Sequence, residues 1–453
     1  MLVSSQLVYF LGMEQIKKLH ITTFGCQMNE YDSEQIARML SPLGYVLTPD
    51  ISGADLILLN TCSIREKAEQ KVFSHLGRLK RLKERSPNLI IGVGGCVAQQ
   101  HGAKLLERVG HLDFVFGTQT LHQLPQMITE IKATGKRINS TAFQDDFVCP
   151  AAQEPAVPHH VKALLTIMRG CNNFCTFCIV PYVRGREVSR PKDEIMAEAE
   201  ALIASGVREI TLLGQNVNSY RSHDGYNFLS LLRDINKLEG LDRIRFTTSH
   251  PKDFSSELIS AFGELEKLCS HMHLPVQSGS NPVLKKMSRR YTREEYIEKV
   301  EQLRSVCPEI SITTDIIVGF PGETERDFQL TLDLMRRVRF ASAFSFKYSD
   351  RPGARATTFT PKVPETIKSE RLMELQTLQD EISLMQNKNL EGTVELVLVE
   401  GHAKRTPRKL TGRTSGNHVV NFIGSDDMIG RMIPIRLEKS FIHSISGTPC
   451  AAA

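Results

Sequence analysis

Three cysteines stand close together in the middle of the chain, at Cys171, Cys175 and Cys178 in the run CNNFCTFC. A loop this short must wrap its three thiolates around one small object. A four-iron cluster takes four ligands, one for each iron, so three cysteines leave one iron open to a substrate or cofactor. We therefore expect a reactive iron–sulfur cluster at this loop, rather than one that only stores electrons.

Other interpretations of these cysteines stay open on spacing alone. Cys175 and Cys178 form a CxxC pair of the thioredoxin type. The triplet together with His159 or His160 offers ligands for zinc. The bacterial ferredoxin run CxxCxxCxxxC is absent from the sequence. We favour the cluster with an open iron over zinc, a redox pair or structural thiols.

Three further cysteines form a second group because each follows a predicted strand of one sheet. Between Leu19 and about Gly135, apolar runs alternate with amphipathic helical stretches, which indicates βαβ units and a parallel sheet. Cys26, Cys62 and Cys96 each follow one of the first three apolar runs. Because the carboxyl ends of parallel strands share one edge, we expect the three thiols to lie together there. The alternative is three unrelated buried thiols.

A second series of strand-like runs, six in number with helical stretches between them, begins near residue 163 and favours a partial or complete βα barrel. In such a barrel the reacting groups lie at the carboxyl ends of the strands. Polar residues at those ends are candidates to bind a cofactor or a substrate base: Gln215, Ser249 with its neighbour His250, Gln277 and Asp315. Ordinary loop capping is the alternative for each.

The C-terminal part starts with a long charged helical pattern and continues as short strands joined by glycine turns, which predicts a small β-barrel. Five cations crowd ten of its residues: Lys404, Arg405, Arg408, Lys409 and Arg413. Clustered cations suit RNA phosphates, although a solvated loop is the alternative. Arg184 and Arg186 follow the CNNFCTFC loop, where they could contact RNA phosphates or form surface ion pairs.

Composition limits the class of protein. The 453 residues, 41% hydrophobic and 24% charged, suffice for about three globular domains. A net charge of +5 permits RNA binding without demanding it. No apolar run is long enough to span a bilayer, and the first residues lack the features of a secretory signal. We therefore expect a cytoplasmic protein whose ten cysteines are not disulfide-bonded.

These motifs resemble a known family. CxxxCxxC after the first strand of a βα barrel is similar to the cluster motif of the radical S-adenosylmethionine superfamily. Residues 166–191, 212–220, 274–280, 285–296 and 312–325, with TFGCQMN, NTCSIRE and GGCVAQ around the other three cysteines, resemble the methylthiotransferases. Within that group the chain looks most like the tRNA 2-methylthio-isopentenyladenosine synthases (MiaB type), from about Lys18 to His443.

The resemblance implies two 4Fe–4S clusters and S-adenosylmethionine as cofactors. The radical cluster and the second cluster would be held, respectively, by Cys171, Cys175, Cys178 and by Cys26, Cys62, Cys96. Phe177, next to the radical cluster, would limit the access of solvent to the cofactor. The superfamily often carries a Gly-Gly-Glu type segment after its second strand, where this chain has Leu213-Gly214-Gln215.

The expected fold class is α/β, with an N-terminal parallel βαβ sheet domain, a central (βα)6-type partial barrel and a small C-terminal β-barrel of the TRAM type. We expect six segments: an N-terminal extension (1–17), a methylthiotransferase N-terminal domain (18–135), a linker (136–157), a radical S-adenosylmethionine domain (158–385), a TRAM domain (386–449) and a tail (450–453).

As a function, the resemblance implies an enzyme that converts isopentenyladenosine next to the tRNA anticodon to its 2-methylthio derivative. Its partners would be tRNA, an electron donor such as flavodoxin or ferredoxin, and a sulfur source. We expect a monomer that does not bind membranes. The alternatives are a sister methylthiotransferase acting on threonylcarbamoyl-adenosine tRNA or a ribosomal-protein aspartate, and a non-catalytic iron–sulfur RNA-binding regulator.

Overall fold

A computed structural model describes residues 16–63, 66–143, 161–222 and 225–450. His159, His160, most of the expected linker and parts of the expected extension and tail lie outside these residues. The chain divides into two compact units, Met1–Ala156 and Val157–Ala453. Among the described residues, we find no helix with the length and apolar character needed to cross a membrane.

The first unit contains a parallel sheet with the strand order β2-β1-β3-β4-β5-β6. Its elements are β1 (Lys17–Thr23), α1 (Gln27–Leu40), β2 (Tyr45–Leu47), β3 (Leu56–Thr61), α2 (Glu66–Arg85), β4 (Ile90–Gly95), α3 (Cys96–His101), α4 (Ala103–Arg108), β5 (Phe114–Phe116), α5 (Leu124–Thr134) and β6 (Ile138–Ser140). The predicted parallel sheet is confirmed. It continues past residue 135 into the expected linker, because Ile138 pairs with Phe114 at the sheet edge.

Alternation along the strands gives this sheet two apolar faces. Ile57 and Leu59 of β3 belong to a core that includes residues of α2, α3 and α4. Leu56 and Leu58 belong to a core on the opposite face, with residues of α1 and α5. Because helices cover both faces, every residue of β3 and β4 is buried. Burial of each large apolar side chain stabilises the fold by about 1.5–3 kcal/mol.

The second unit begins with two three-stranded parallel sheets, β7-β10-β11 and β12-β13-β14. Its elements are β7 (Lys162–Thr166), β8 (Met168–Arg169), α6 (Val180–Val183), β9 (Val188–Ser189), α7 (Lys192–Ala204), β10 (Glu209–Leu213), α8 (Phe228–Asn236), β11 (Arg243–Phe246), α9 (Ser256–Glu264), β12 (His271–His273), α10 (Asn281–Lys286), α11 (Arg293–Val306), β13 (Ser311–Val318), α12 (Glu325–Val338), β14 (Ser342–Lys347) and α13 (Glu365–Asn389). A parallel bridge between Ile244 and Leu268 joins the two sheets.

These strands form the predicted (βα)6-type partial barrel. The six parallel strands of the two sheets follow one another in chain order, each joined to the next through at least one helix. Local signals start the helices of the later repeats: α11 and α12 open with capping boxes at Thr292 and Thr324. Among the strands that the structure describes, β7 does not pair with β14, so the barrel stays open on that side.

The C-terminal strands close into a small barrel in the order β15-β16-β17-β19-β18, as predicted. They are β15 (Val394–Ala403), β16 (Thr406–Arg413), β17 (Val419–Phe422), β18 (Met432–Phe441) and β19 (Ser444–Pro449). The expected domain boundary after residue 385 falls inside α13, which ends at Asn389. The limits of the domains and the TRAM type of this barrel stay predictions.

Two buried arginines of β11 join the C-terminal barrel to the central one. Arg243 donates to the carbonyl oxygens of Arg413 and Leu396, at 2.6 and 2.7 Å. Arg245 donates to the carbonyl oxygens of Ser415 and Thr414, at 2.9 and 2.8 Å. These hydrogen bonds satisfy backbone acceptors at the junction, so the two barrels form one compact unit.

We expect Gly94→Ala to lower the free energy of unfolding by about 1–3 kcal/mol, because overpacking a close contact strains its neighbours. A Cβ atom at Gly94 would lie 2.1 Å from the ring of Phe116. The control is Gly77→Ala in α2, where a Cβ atom meets nothing within 4 Å. Alanine there should stabilise the helix by about 1 kcal/mol. Urea unfolding of the full chain measures the free energy of unfolding of both variants. Equal changes in the two would contradict the close contact between Gly94 and Phe116.

Candidate cluster and cofactor sites

The CNNFCTFC loop, residues 171–178, lies between β8 and α6 at the carboxyl end of the first barrel strand. Cys178 N–H donates to the carbonyl of Cys175 at 2.9 Å, which folds the loop back on itself. The loop is also fixed at its start. Gly170 has φ +73°, and a Cβ atom there would lie 1.9 Å from the carbonyl oxygen of Arg186. Only glycine allows this approach.

Two thiols of this loop, Cys171 and Cys178, have raised pKa values. Burial raises the pKa of Cys171, and charge on Cys175 raises it further. Burial also raises the pKa of Cys178 to about 12, with charge on Cys175 and Cys171 adding to the shift. Ionisation of Cys171 and Cys178 together is therefore costly without added positive charge. Binding of iron supplies that charge and displaces the protons, so this donor set fits an iron–sulfur cluster.

The ligands of an iron–sulfur cluster are arranged differently from those of a single metal ion. Among the residues that the structure describes, no three His, Cys, Asp or Glu side chains converge on a position for one ion. In a four-iron cluster each iron takes its own ligand, so three cysteines bind three different irons and need not converge on one position.

Two nitrogen donors approach the sulfur of Cys175. Arg289 Nη1 lies 3.5 Å from Cys175 Sγ, and His250 Nε2 lies 3.9 Å from it. Burial lowers the pKa of His250 to about 2, and the cation of Arg289 lowers it too, so this imidazole is neutral. Sequence reasoning placed His250 at a strand end but missed Arg289. The signal for Arg289 was its place in the segment KKMSRRYTREEY.

The predicted cofactor-binding residues make different contacts in the structure. Gln215 accepts a hydrogen bond from Gly170 N–H through its side-chain oxygen and so supports the start of the CNNFCTFC loop. Ser249 is buried and donates to Asn218. Of the predicted polar residues, Gln215 therefore contacts the residue that precedes the loop, and His250 contacts Cys175 within it.

Three further predicted or related residues lie on the later strands and in the loop itself. Gln277 pairs by backbone with Asp315, which lies 3.6 Å from His273 through its carboxylate. Phe177 packs against an apolar cluster that includes Phe320. The role of each of these residues toward a cofactor stays a prediction.

The other three cysteines follow neighbouring strands of the first unit. Cys26 precedes α1 after β1, Cys62 follows β3 directly, and Cys96 opens α3 after β4. Since β1, β3 and β4 are adjacent and parallel, their carboxyl ends share one edge of the sheet. The predicted placement at this edge is confirmed, and the role as ligands stays a prediction.

A buried pair of asparagines links the turns that carry these cysteines. Asn29 donates to Asn60 Oδ1 at 3.0 Å and to the carbonyl of Thr61 at 2.9 Å, and Asn60 donates back to the Asn29 carbonyl. Cys26 Sγ lies 3.6 Å from Asn29 Oδ1. Thr61 in turn donates to the carbonyl of Gly94 at 2.6 Å. Sequence reasoning missed both asparagines, although they stand in CQMN and NTC beside the ligand candidates.

The candidate RNA contacts differ in exposure. Lys404 and Arg405 occupy the turn between β15 and β16, and Arg408 is exposed on β16; with Lys409 we call these the basic hairpin. Arg413 instead pairs with Glu400 at 3.3 Å. The cations of the basic hairpin, on a turn and an adjoining strand, are candidates to contact a phosphate backbone.

The two arginines after the CNNFCTFC loop also differ. Arg186 is exposed and lies over the ring of Phe174 at 5.7 Å. Arg184 is only 5% exposed, so it does not offer its charge to RNA, and we correct that expectation.

Comparison with known proteins agrees with this geometry. The family model described as Uncharacterized protein family UPF0004 matches residues 18–117, and that of the Radical SAM superfamily matches residues 165–335. Among solved structures, radical S-adenosylmethionine methyltransferase TsrM from Kitasatospora setae, with cobalamin and a 4Fe–4S cluster bound, has a TM-score of 0.54 at 14% identity, covering 76% of this chain and 77% of its own. These matches define a protein with the radical S-adenosylmethionine fold.

Full-length relatives narrow the class. A tRNA-2-methylthio-N(6)-dimethylallyladenosine synthase of Syntrophus aciditrophicus (strain SB) is 52% identical over 95% of this chain and 94% of its own length. One of the same name from Carboxydothermus hydrogenoformans is 49% identical over 95% of this chain and 99% of its own. This chain belongs to the tRNA-2-methylthio-N(6)-dimethylallyladenosine synthase family. Radical S-adenosylmethionine enzymes use that cofactor and 4Fe–4S clusters, and methylthiotransferases of this type carry two clusters.

We expect Gly170→Ala to cost more stability than a glycine substitution that meets only backbone strain. A left-handed residue other than glycine costs about 1–2 kcal/mol, and the contact with the Arg186 carbonyl adds to this. The control is Gly206→Ala in the same unit, at φ +101° with nothing within 4 Å. Urea unfolding compares the two variants, and equal losses would show that the close approach is unimportant.

Proposed function

We propose that this protein converts isopentenyladenosine (dimethylallyladenosine) in tRNA, next to the anticodon, to its 2-methylthio derivative. The observation that carries the proposal is the pair of cysteine triplets, each at the carboxyl end of parallel strands, in a chain 52% identical to a relative of that activity. Each triplet leaves one iron of a four-iron cluster without a protein ligand.

The target bond explains why such cofactors are needed. The hydrogen on carbon 2 of adenine is not acidic enough for a general base, and no leaving group stands beside it, so acid–base side chains have little effect. When bound, S-adenosylmethionine and the two clusters supply the radical, methyl and sulfur chemistry. The tasks left to the polypeptide are to hold, orient and shield these groups.

In this proposal, the cysteines of the CNNFCTFC loop hold one cluster, and neighbouring residues hold the loop. Cys171, Cys175 and Cys178 hold the radical cluster on a loop that Gly170 and Gln215 fix in position. The N–H groups of Cys171, Thr176 and Cys178 donate to backbone carbonyls of the protein, which adds to the support of the loop.

The N-terminal triplet has a corresponding support. Cys26, Cys62 and Cys96 hold the second cluster, on turns that the Asn29 and Asn60 pair ties together. A buried, mutually bonded amide pair has little freedom to move, which favours fixed ligand positions.

The remaining parts of the proposal concern partners. The basic hairpin, on a barrel that we assign to the TRAM type, binds phosphates of the anticodon stem-loop, and Arg186 adds a contact beside the cluster loop. A flavodoxin or ferredoxin donates single electrons, and a separate source provides sulfur. The chain acts as a monomer in the cytoplasm, with a radical domain near 158–385 between the N-terminal domain near 18–135 and the barrel near 386–449.

We expect Cys26→Ala, Cys62→Ala, Cys96→Ala and Cys175→Ala each to abolish methylthiolation, because each removes one of only three protein ligands of a cluster. Mass spectrometry of tRNA nucleosides from a deletion strain, complemented with each variant, should show isopentenyladenosine without its methylthio group. Cys450→Ala is the control, since this thiol lies outside both triplets.

The same measurement separates the alternatives. Loss of a methylthio group from threonylcarbamoyl-adenosine, or from a ribosomal protein, would assign the sister reaction. Full activity of Cys26→Ala would contradict a second cluster held by the N-terminal triplet. A wild-type chain that restores no methylthio product, yet binds tRNA, would be a regulator.

We expect Arg408→Gln to weaken tRNA binding and to make it less sensitive to salt. Each lost phosphate contact lowers the slope of log K against log salt by about 0.7–0.9. Arg436→Gln, an exposed arginine on β18 of the same barrel, is the control. Affinity for an anticodon stem-loop across a salt series measures both, and an unchanged slope in Arg408→Gln would remove the basic hairpin from the interface.

A further inference from the structure

The sulfur of Cys175 receives two nitrogen donors from distant parts of the chain. Arg289 Nη1 stands 3.5 Å from Cys175 Sγ and comes from the segment after α10. His250 Nε2 stands 3.9 Å away and follows β11. Neither residue is needed to hold the backbone of the CNNFCTFC loop, whose hydrogen bonds lie elsewhere. Their contact with a ligand sulfur therefore calls for a separate explanation.

Both donors are fixed before any cluster binds. Arg289 is 4% exposed, and its other nitrogens donate to Tyr291 Oη at 2.9 Å and to the carbonyl of Pro275 at 2.6 Å. This leaves Nη1 directed at the sulfur. The Nδ1 atom of His250 accepts a hydrogen bond from Lys252 N–H at 3.2 Å. Because Nδ1 accepts, a ring proton is on Nε2, the atom that faces Cys175.

Reduction of an iron–sulfur cluster adds one negative charge, which the cysteine sulfurs share. Hydrogen bonds to the sulfurs, net charge and burial are the protein's means of setting the reduction potential. A buried guanidinium acts through a low dielectric and stabilises the more negative state more strongly. Donors at Cys175 therefore favour the reduced cluster.

We propose that Arg289 and His250 raise the reduction potential of the cluster held by Cys171, Cys175 and Cys178, through N–H hydrogen bonds to the Cys175 sulfur. The step is the transfer of one electron from a low-potential one-electron donor to the cluster, with no proton moved. The inference rests on the proposed function, because that proposal makes Cys175 a ligand. Arg289 and His250 are positioning residues that act through Cys175.

The test isolates the radical cluster in the full chain. A Cys26→Ala, Cys62→Ala, Cys96→Ala background removes the second ligand set, and anaerobic reconstitution with iron and sulfide fills the first. Potentiometric titration with dithionite, followed by electron paramagnetic resonance, then gives the midpoint potential. The variants are Arg289→Met, Arg289→Lys and His250→Phe in that background.

We expect Arg289→Met to lower the equilibrium constant for reduction at least tenfold, which is a midpoint about 59 mV more negative. Arg289→Lys, which keeps the charge without the planar fork, should shift it less, and His250→Phe should shift it in the same direction. Arg290→Met is the matched control, because it removes an exposed charge next in sequence.

Each outcome decides the matter. Unchanged potentials in Arg289→Met and His250→Phe, or an equal shift in Arg290→Met, would overturn the inference. If Arg289→Met binds no iron, the midpoint potentials of Arg289→Lys and His250→Phe test the inference instead. Unchanged potentials in both of these variants would overturn it. A background protein that binds no cluster at all would instead contradict the proposed function.

Discussion

The arrangement of this protein depends on one property of parallel strands: their carboxyl ends lie at a common edge. In the first unit that edge gathers Cys26, Cys62 and Cys96, which the sequence separates by more than thirty residues at each step. In the second unit the end of the first barrel strand carries a complete triplet on one loop. Burial, with charge on Cys175 and Cys171 adding to its effect, raises the pKa of Cys178 to about 12. The edge of the second unit is therefore suited to a positively charged metal centre.

Hydrogen bonds of neighbouring residues stabilise the turns and the loop that carry the cysteines at these edges. The Asn29 and Asn60 pair connects the first triplet's turns, and Gly170 with Gln215 fixes the start of the second. The buried amides of Asn29 and Asn60 bond to each other and to backbone carbonyls, and an unpaired buried amide would cost about 1–3 kcal/mol. Arg289 belongs to the same supporting layer, with the difference that its donor reaches a ligand sulfur itself. Support of this kind links the rigidity of the fold to the chemistry proposed for it.

Much of this was predictable where a pattern has a physical cause. Strand-like apolar runs predicted β7, β10 and β13, and the order of domains followed from the alternation of strand-like and helical stretches. Strands of three residues such as β2 and β6 carry too little periodicity to be recognised. Exposure also escaped prediction, since Arg184 and Arg186 differ by two positions but only the first is buried. Contacts such as Arg289 with Cys175 join residues 114 positions apart, which local patterns do not contain.

The central claim is that six cysteines form two independent sets of cluster ligands. Iron analysis with Mössbauer spectroscopy of the anaerobically reconstituted chain tests it most directly, alongside the two triple alanine variants. The account predicts about eight irons per wild-type chain as two four-iron clusters. It further predicts one four-iron cluster, and half of the iron, in each triple variant. A wild-type chain with a single cluster, or a triple variant that keeps both, would contradict it.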